Sequence, residues 1–579
     1  MSRSAAVRAV AALCSASLFM QGPVAAMAQS AQNPAPDAPA AQTENAPAAN
    51  GGRVPFNLFL KTSHNPLDAY RGKSVPPVNM ANSPRLSSYI RDGKLYLTLR
   101  DAIDLALEDN LDMVIARYNL PIAQMDVLRT AAGGTVKGVN TGVVSGTPGG
   151  AGLSVGSSGS GAGSGGTTSG AGGAGAGAGG LVQNTIGGGT SVSNYDPYFQ
   201  FSTYVDHTTQ LLANQVVYGV PEIHLNTVQA NFSYSEAFPT GGSIQATWSN
   251  NRQATNSPNN TFNPQFFSNA EIYAQQPLLA GFGFGPNLRY LHIAKTNLKV
   301  TDIAFKAQVI ATVTQISNLY WNLVAAYDTA QVNERSVTFA EETLEKDKKQ
   351  LELQAMPQMD VFKAQGDLAT RKQELTVART NLELQELYMK NAITRSLDDP
   401  LLEEMAVVPV DHIAGNAEPP TEKVQDLIDE ALKNRPEVQE STLQLKNSEL
   451  SRKSERNALL PSLSVYGFLT GTGYSGPLNP LLRDTTGDTT PSNGFGGAAQ
   501  NAFNYSSPEY QVGIQLGIPI RNRIAKADQY RTELEFRQSQ LYLEEQKKSV
   551  RIEVRNARFA LEQQSSRVEA AREARDLAA

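Results

Sequence analysis

The hydrophobic positions of this chain change period several times, and each change marks an element. From Thr98 to Arg129, the residues Leu99, Ile103, Ala106, Leu107, Val114 and Ile115 fall at helical spacing, which predicts a helix that Pro121 should kink or break. Near residue 200 the period drops to two. Phe199, Phe201, Thr203 and Val205 alternate with Tyr198, Gln200, Ser202 and Tyr204, the signature of a strand with one apolar face. A hairpin is expected next, with strands near 227–236 and 243–250 joined by Pro239-Thr240-Gly241-Gly242, and then a strand near 268–278. From Asn287 to Ala355 there is neither proline nor glycine, so an unbroken helix would run roughly 100 Å. After Met356-Pro357 the apolar residues Val361, Leu368, Leu375, Leu382 and Met389 stand seven apart, with Ala364 and Ala378 three after Val361 and Leu375. That is a heptad seam whose small residues let two helices approach closely, and its strict period demands left-handed supercoiling. The short connection predicts an antiparallel hairpin.

The pattern then restarts. A helix is expected from about Thr421 to Leu460, followed by a strand opened by Pro461. In that strand Leu463, Val465 and Leu469 alternate with Ser462, Ser464 and Tyr466. A Gly/Asn/Thr/Pro loop leads to a returning strand with Tyr510, Val512, Ile514, Leu516 and Ile518 on one face and Gln511, Gly513, Gln515 and Gly517 on the other. A long helical stretch runs on from about Ile524. Ile-Asp-x-Ala-Leu opens both units, as Ile103, Asp104, Ala106, Leu107 and as Ile428, Asp429, Ala431, Leu432. Pro277-Leu278 matches Pro519-Ile520, and Ile293-Ala294-Lys295 matches Ile524-Ala525-Lys526. The chain is therefore read as an internal duplication of a helix–strand–strand–helix unit.

Composition narrows the class. A net charge of −6 and a pI of about 5.6 give no electrostatic footprint for nucleic acid. Arg3 and Arg8 precede an apolar run from Ala9 to Met20 and the small residues Ala26 and Ala28, so residues 1–28 read as a secretory signal peptide. Beyond it no apolar run is long enough for a transmembrane helix. The single cysteine, Cys14, lies inside that peptide. Leu13 stands where lipidation would need a small residue, and the mature chain is left without disulfides or a cysteine site. Residues 29–94 read as a flexible or extended segment, 95–396 as the first repeat, 397–420 as a linker and 421–579 as the second repeat. The first repeat carries a Gly/Ser-rich insert over about 132–193. Its chance GxGxxG spacings lack the strand and helix that a phosphate loop requires.

The candidates for chemistry are weak. His64, His207, His224, His292 and His412 show no ligand spacing, and no Ser/His/Asp or paired-carboxylate constellation stands out. Asp360, just after a turn, reads as a first-turn residue favoured by the helix dipole rather than as a catalytic acid. No enzyme activity, cofactor or metal site is expected. Strands of about ten residues with one apolar and one polar face, in an exported chain, suit a membrane β-barrel. Four strands cannot close one alone, so an oligomer would be needed. The residues leave open whether the hairpin at 227–250 is an external loop or adds barrel strands.

From Leu95 onward the sequence resembles the TolC-like outer membrane efflux proteins, the outer membrane factors. The resemblance rests on LTLRDAIDLALEDN, on QPLLAGFGFGPN (Gln276 to Asn287), on DVFKAQGDLATRKQELTVARTNL (Asp360 to Leu382), and on LPSLSVYG and VGIQLGIPI in the second unit. It implies an α+β membrane protein: a homotrimer giving four strands per protomer to a 12-strand barrel, continued by a long α-helical coiled-coil tunnel in the periplasm. It further implies a passive exit duct of a tripartite efflux or type I secretion system, in contact with outer membrane lipid. The duct would dock on a periplasmic adaptor and an inner-membrane transporter. The adaptor-contacting tip would be Ala355, Met356, Pro357, Gln358 and Asp360, and the helix seam Val361, Ala364, Leu368, Leu375, Ala378 and Leu382. Three departures stand out: the insert, Ala355 where the family often has glycine, and a second unit whose alignment with the first implies an incomplete last hairpin. The competing reading is a soluble periplasmic coiled-coil scaffold or adaptor.

Overall fold

The computed structural model describes residues 75–144, 190–212, 215–398, 404–412, 422–479, 494–504 and 507–578, together with Tyr70, Gly72 and Leu402. They fall in one unit, Leu58–Ala579. The expected signal peptide, with Cys14, and His64 and most of the Gly-rich insert lie outside the described residues.

Two short helices open the first unit: α1 (Leu99–Asp109) and α2 (Leu111–Ala131). Thr98 caps α1 in a reciprocal arrangement with Asp101, each side chain accepting from the other's backbone amide. The expected interruption at Pro121 is not where the chain breaks, because α2 runs through it. The break falls at Asn110, whose side-chain oxygen accepts from the amides of Asp112 and Met113 and starts a new helix there. The second unit breaks at the matching place. Instead of one helix from 421 to 460 there are α5 (Val424–Asn434) and α6 (Pro436–Ala458), with Pro436 at the first helical position, where its missing N–H costs nothing.

The long helix is present as α3, Arg289–Glu352, whose 64 residues span about 96 Å. It turns into α4 (Gln358–Ile393). Its counterpart α8 is Arg523–Ala578. Helix α6 packs between α3 and α8, joined by Asn447 Nδ2 to Asn297 Oδ1 at 2.7 Å and by the Ser448 and Ser539 hydroxyls at 3.0 Å. Among the described residues no helix is long and apolar enough to cross a membrane.

Two sheets join these helices. In the smaller, β1 (Ile90–Arg91) pairs antiparallel with β2 (Lys94–Leu97), which pairs in parallel with β7 (Ala406–Pro409). Parts of the segments expected to be extended (29–94) and linking (397–420) are thus tied together, because β2 and β7 bury Leu95, Leu97 and Val407. This sheet, α1, the middle of α3 and the C-terminal end of α4 enclose the largest core, with Ile316, Leu319, Tyr320, Leu323, Met389 and Ile393 at its centre.

The larger sheet corrects the expectation of four strands per protomer. It has six, all antiparallel: β3 (Tyr198–Leu211), β4 (Glu222–Ala237), β5 (Ser243–Thr255), β6 (Gln265–Pro277), β8 (Ser462–Ser475) and β9 (Pro508–Gly517), in that order. The hairpin at 227–250 is not a loop, because its strands hydrogen-bond along their whole length to β3 and β6. Part of the expected β8–β9 loop is helical, as α7 (Gly494–Phe503), which lies on β6 and β8.

Candidate functional site

The register of the large sheet sorts its residues onto two faces. One rung reads Phe201, Phe232, Trp248, Ala270, Gly471, and the rung two residues nearer the helices reads Phe199, Tyr234, Ala246, Ile272, Leu469, Tyr510. This face is apolar and aromatic, and on the outer strand β9 it is bare: Tyr510 is 79% and Val512 80% exposed. Towards the far end it turns polar, with Asn250 and Ser268, then Arg252, and His207 beside Asn226. Asn250 and Ser268 are buried, and Ser268 accepts from the Trp248 indole N–H (2.9 Å) and donates to Asn250 Oδ1 (2.8 Å). Helix α7 covers that place, with Ala498 and Ala502 fully packed against Gly471 and Gly473. A Cβ at Gly471 would strike the Ala502 carbonyl, so the close approach requires glycine there. Phe495 and Phe503 flank Trp248 at 6.1 and 5.9 Å. Sequence reasoning missed α7, although Phe495, Ala498, Ala502 and Phe503 have helical spacing.

The opposite face is polar. It carries Gln200, Ser202, Gln229, Asn231, Ser233, Gln245, Thr247, Asn269, Thr470 and Gln511, with Tyr198, Tyr204, Tyr273, Tyr466, Tyr474, Phe267 and Phe468 among them. Neighbouring strands are laced by side-chain hydrogen bonds: Tyr204 to Gln229, and Gln275 to Ser464 at 3.2 Å. Its charges are the carboxylates Asp206, Glu271 and Glu509, with no basic side chain. Glu271 and Glu509 stand on either side of Thr470 on one rung. Such a surface offers hydrogen bonds to water or polar solutes and favours cations over anions.

At the other end of α3 lies the helical turn. Leu353 closes α3, Gln354 adopts a left-handed backbone (φ 56°), and the Ala355 amide donates back to the Gln350 carbonyl at 2.9 Å. The residue that needs glycine-like freedom is therefore Gln354, not Ala355. Ala355, Pro357 and Gln358 are exposed, and Met356 and Asp360 partly so. Leu353 and Met359 also stand out, at 78% and 65% exposed. Asp360 lies in the first turn of α4, 3.1 Å from Lys363 Nζ.

Along α4, Val361 and Ala378 are buried and Ala364, Leu368, Leu375 and Leu382 are partly buried, between exposed neighbours. On α3 the matching buried positions are Ala330, Val337, Ala340 and Leu344. Ion pairs Lys372–Glu341 (2.8 Å) and Arg379–Glu334 (2.9 Å) cross between the helices. One step of seven forward on α4 matches seven backward on α3, which gives an antiparallel pair.

A partly buried polar knot joins α3 to the small sheet. The Tyr320 hydroxyl lies 2.9 Å from Asp411 Oδ2 and 3.1 Å from the Leu97 carbonyl, and accepts from the Asp411 amide at 3.3 Å. Asp411 Oδ2 also accepts from the Leu99 amide at 2.7 Å, capping α1. Burial, with Asp411 beside it, pushes the Tyr320 hydroxyl up to about 12. Nearby, buried Asp109 accepts from the Ser83 amide (2.7 Å) and lies 3.0 Å from Arg395 Nε. Burial raises its carboxyl above the usual range, against the lowering pull of Ser83 and Arg395.

Among the described residues no three His, Cys, Asp or Glu side chains are placed to hold a metal. His207 and His224, without ligand spacing in the sequence, are brought together across β3 and β4. Their rings stack at 6.3 Å and both reach the Thr209 hydroxyl. His292 bonds the Leu288 carbonyl of its own helix, and His412 is exposed.

Residues 427–579 match the family described as outer membrane efflux protein. No curated protein matches the sequence. Among solved structures, the chain is similar to CusC, which forms a transmembrane channel, at 14% identity over 83% of this chain and 79% of that one, with a TM-score of 0.47. It is similar to a membrane protein from Pseudomonas aeruginosa at 12% identity over 88% and 85%, with a TM-score of 0.47. It is similar to the Campylobacter jejuni CmeC outer membrane channel at 14% identity over 88% and 85%, with a TM-score of 0.44.

Proposed function

We propose that this chain, whose residues 427–579 carry the outer membrane efflux protein signature, is a passive exit duct in an outer membrane. Three copies would enclose a water-filled passage. The apolar sheet face would meet lipid, the polar face would line the pore, and the helical hairpins would reach into the periplasm to a periplasmic adaptor and an inner-membrane transporter. The observation that carries the reading is the large sheet itself, with two apolar rungs crossing its strands on one face, a mainly polar opposite face, and both outer edges unpaired among the described residues. In water such a face would aggregate, whereas in a bilayer each rung finds its solvent. A chain that works as a duct needs no catalytic group. The exposed apolar residues Leu353 and Met359, with the partly exposed Met356, at the helical turn suit docking on a partner's helices. A soluble scaffold would keep the helical hairpin but has no use for that apolar band.

The test is fractionation of the full chain expressed with its leader, followed by native mass measurement in detergent and conductance in planar bilayers. Outer-membrane density, a trimeric mass and ohmic pores are expected. A monomer released from the periplasm without detergent would overturn the proposal.

A further inference from the structure

The two outer strands of the large sheet raise a specific question, namely what pairs with them. Every residue of β3 and most of β9 is exposed, with Val205 at 79% and Leu211 at 80% on β3. Soluble proteins blunt such edges with lysine, proline or bulges. Here β3 contains no lysine, arginine or proline, and β9 has only Pro508 at its first position. An unpaired edge in hydrocarbon leaves backbone N–H and C=O groups without partners, which a bilayer does not tolerate.

We infer that β3 of one copy pairs with β9 of the next, so that each protomer contributes six strands and a trimer closes an eighteen-strand barrel. The trimer in this statement rests on the duct reading above; the six-strand unit does not. Strand direction permits the closure. Six antiparallel strands place β3 and β9 in opposite senses, so copies joined head to tail continue the antiparallel order all the way round. Six strands are too few to close alone, since known barrels begin at eight.

The β3–β4 hairpin belongs to the wall by two independent marks. It holds 14 residue pairs within itself and 13 with β5, and detaching it would break the Phe232–Trp248 stack at 5.4 Å. Its faces also continue those of the other strands at the same height. Phe199 and Tyr234 share a rung with Ala246, Ile272, Leu469 and Tyr510, and Phe201 and Phe232 share the next with Trp248 and Ala270. A hairpin outside the bilayer would have no reason to keep that registration. The consequence is width. At about 4.8 Å per strand and a tilt near 40°, twelve strands give a backbone diameter of roughly 24 Å and eighteen roughly 36 Å.

Paired cysteines test this without interference, because Cys14 is the sole cysteine of the sequence and precedes the mature chain by the reading above. One set combines Gln200→Cys or Ser202→Cys on β3 with Gln511→Cys or Gln515→Cys on β9. A second set combines Thr247→Cys or Ser249→Cys on β5 with the same β9 positions. Ser233→Cys with Thr247→Cys, directly opposite on β4 and β5, is the intrachain control. After oxidation of the full-length protein in outer membranes, covalent dimers and trimers are expected from the β3–β9 set and not from the β5–β9 set. Trimers from the β5–β9 set alone would overturn the six-strand wall while leaving the duct intact. Crosslinks that stop at a dimer, with a dimeric native mass, would overturn the eighteen-strand count. Monomers in every combination would overturn the edge pairing, and membrane fractionation then decides the duct separately.

Discussion

Replacing Tyr320 with phenylalanine removes one oxygen from the knot that fastens α3 to the small sheet, and the structure fixes what that oxygen does. A hydroxyl has one hydrogen, and the nearer acceptor is Asp411 Oδ2 at 2.9 Å rather than Leu97 O at 3.1 Å. Leu97 O keeps the Val410 amide at 2.9 Å, and Asp411 Oδ2 keeps the Leu99 amide at 2.7 Å. What is lost is one hydrogen bond to a carboxylate, about 1.5–3 kcal/mol, and the acceptor for the Asp411 amide. Asp411 is only partly buried, so water reaches that amide and its loss adds little. The expected cost is therefore about 2 kcal/mol. The chain has two tryptophans, and Trp321 lies 5.7 Å from the Tyr320 ring, so its fluorescence reports on this region in a Trp248→Phe background. Urea titration of the detergent-solubilised protein should show a lower midpoint at unchanged slope. Asp411→Asn should cost a similar amount, and the double variant should reveal a coupling of about 1 kcal/mol or more. The pH dependence has a definite sign. Folding raises the Tyr320 hydroxyl from its ordinary 10 to about 12, so its contribution is whole below pH 10 and is lost as pH rises through about 12. The Tyr320→Phe variant has no such loss, and the gap between the two proteins should narrow across that range. A coupling near zero, or a gap that is flat with pH, would refute the account.

Three other perturbations read separate parts of the molecule. Ala378→Leu and Ala364→Leu, on the α3–α4 seam, should each cost about 1–3 kcal/mol by overpacking a contact set by small side chains. Circular dichroism melts check this, and unchanged melting would remove those residues from the seam. Gln354→Gly should stabilise the turn by up to about 1 kcal/mol, since glycine carries no penalty at φ 56°. Slower proteolysis at the turn is the readout. Glu455, 2% exposed with one carboxylate oxygen unpartnered, has its carboxyl raised by burial and then by Asp528 and Glu535. The wild type should therefore be favoured below the ordinary glutamate value of 4.5 and lose stability as pH rises through the raised value. Glu455→Gln should gain about 1–3 kcal/mol at neutral pH and lack that slope, as urea midpoints at several pH values would record.

How much of this was legible depended on the distance over which each residue finds its partner. The seam at Val361, Leu368, Leu375 and Leu382 and the alternation from Tyr510 to Ile518 could be read because seven-residue and two-residue periods are local properties of the chain. Helix breaks were misplaced for a local reason as well. Pro121 is a strong signal on paper, but α2 continues through it against α3. Asn110 ends a helix quietly, through a side chain that offers the next amides an acceptor. The Tyr320–Asp411 knot joins residues 91 apart and left no trace in the pattern.

The number of strands was the hardest feature to read, and the reason is physical. Alternation tells which face of a strand meets lipid or water, but it is silent on which neighbour completes the hydrogen bonds. Phe199 to Val205 and Val228 to Tyr234 carry the same alternation whether their hairpin stands in a wall or outside one. Only the register, with Phe201 beside Phe232 and Phe232 beside Trp248, shows that apolar rungs run from this hairpin into its neighbours. A wall built by adding a hairpin inside one repeat keeps the parity that antiparallel closure needs, whereas a single added strand would reverse the sense of one edge. An insertion in an even number of strands is therefore the form of growth that widens a barrel without disturbing the helices on which it stands.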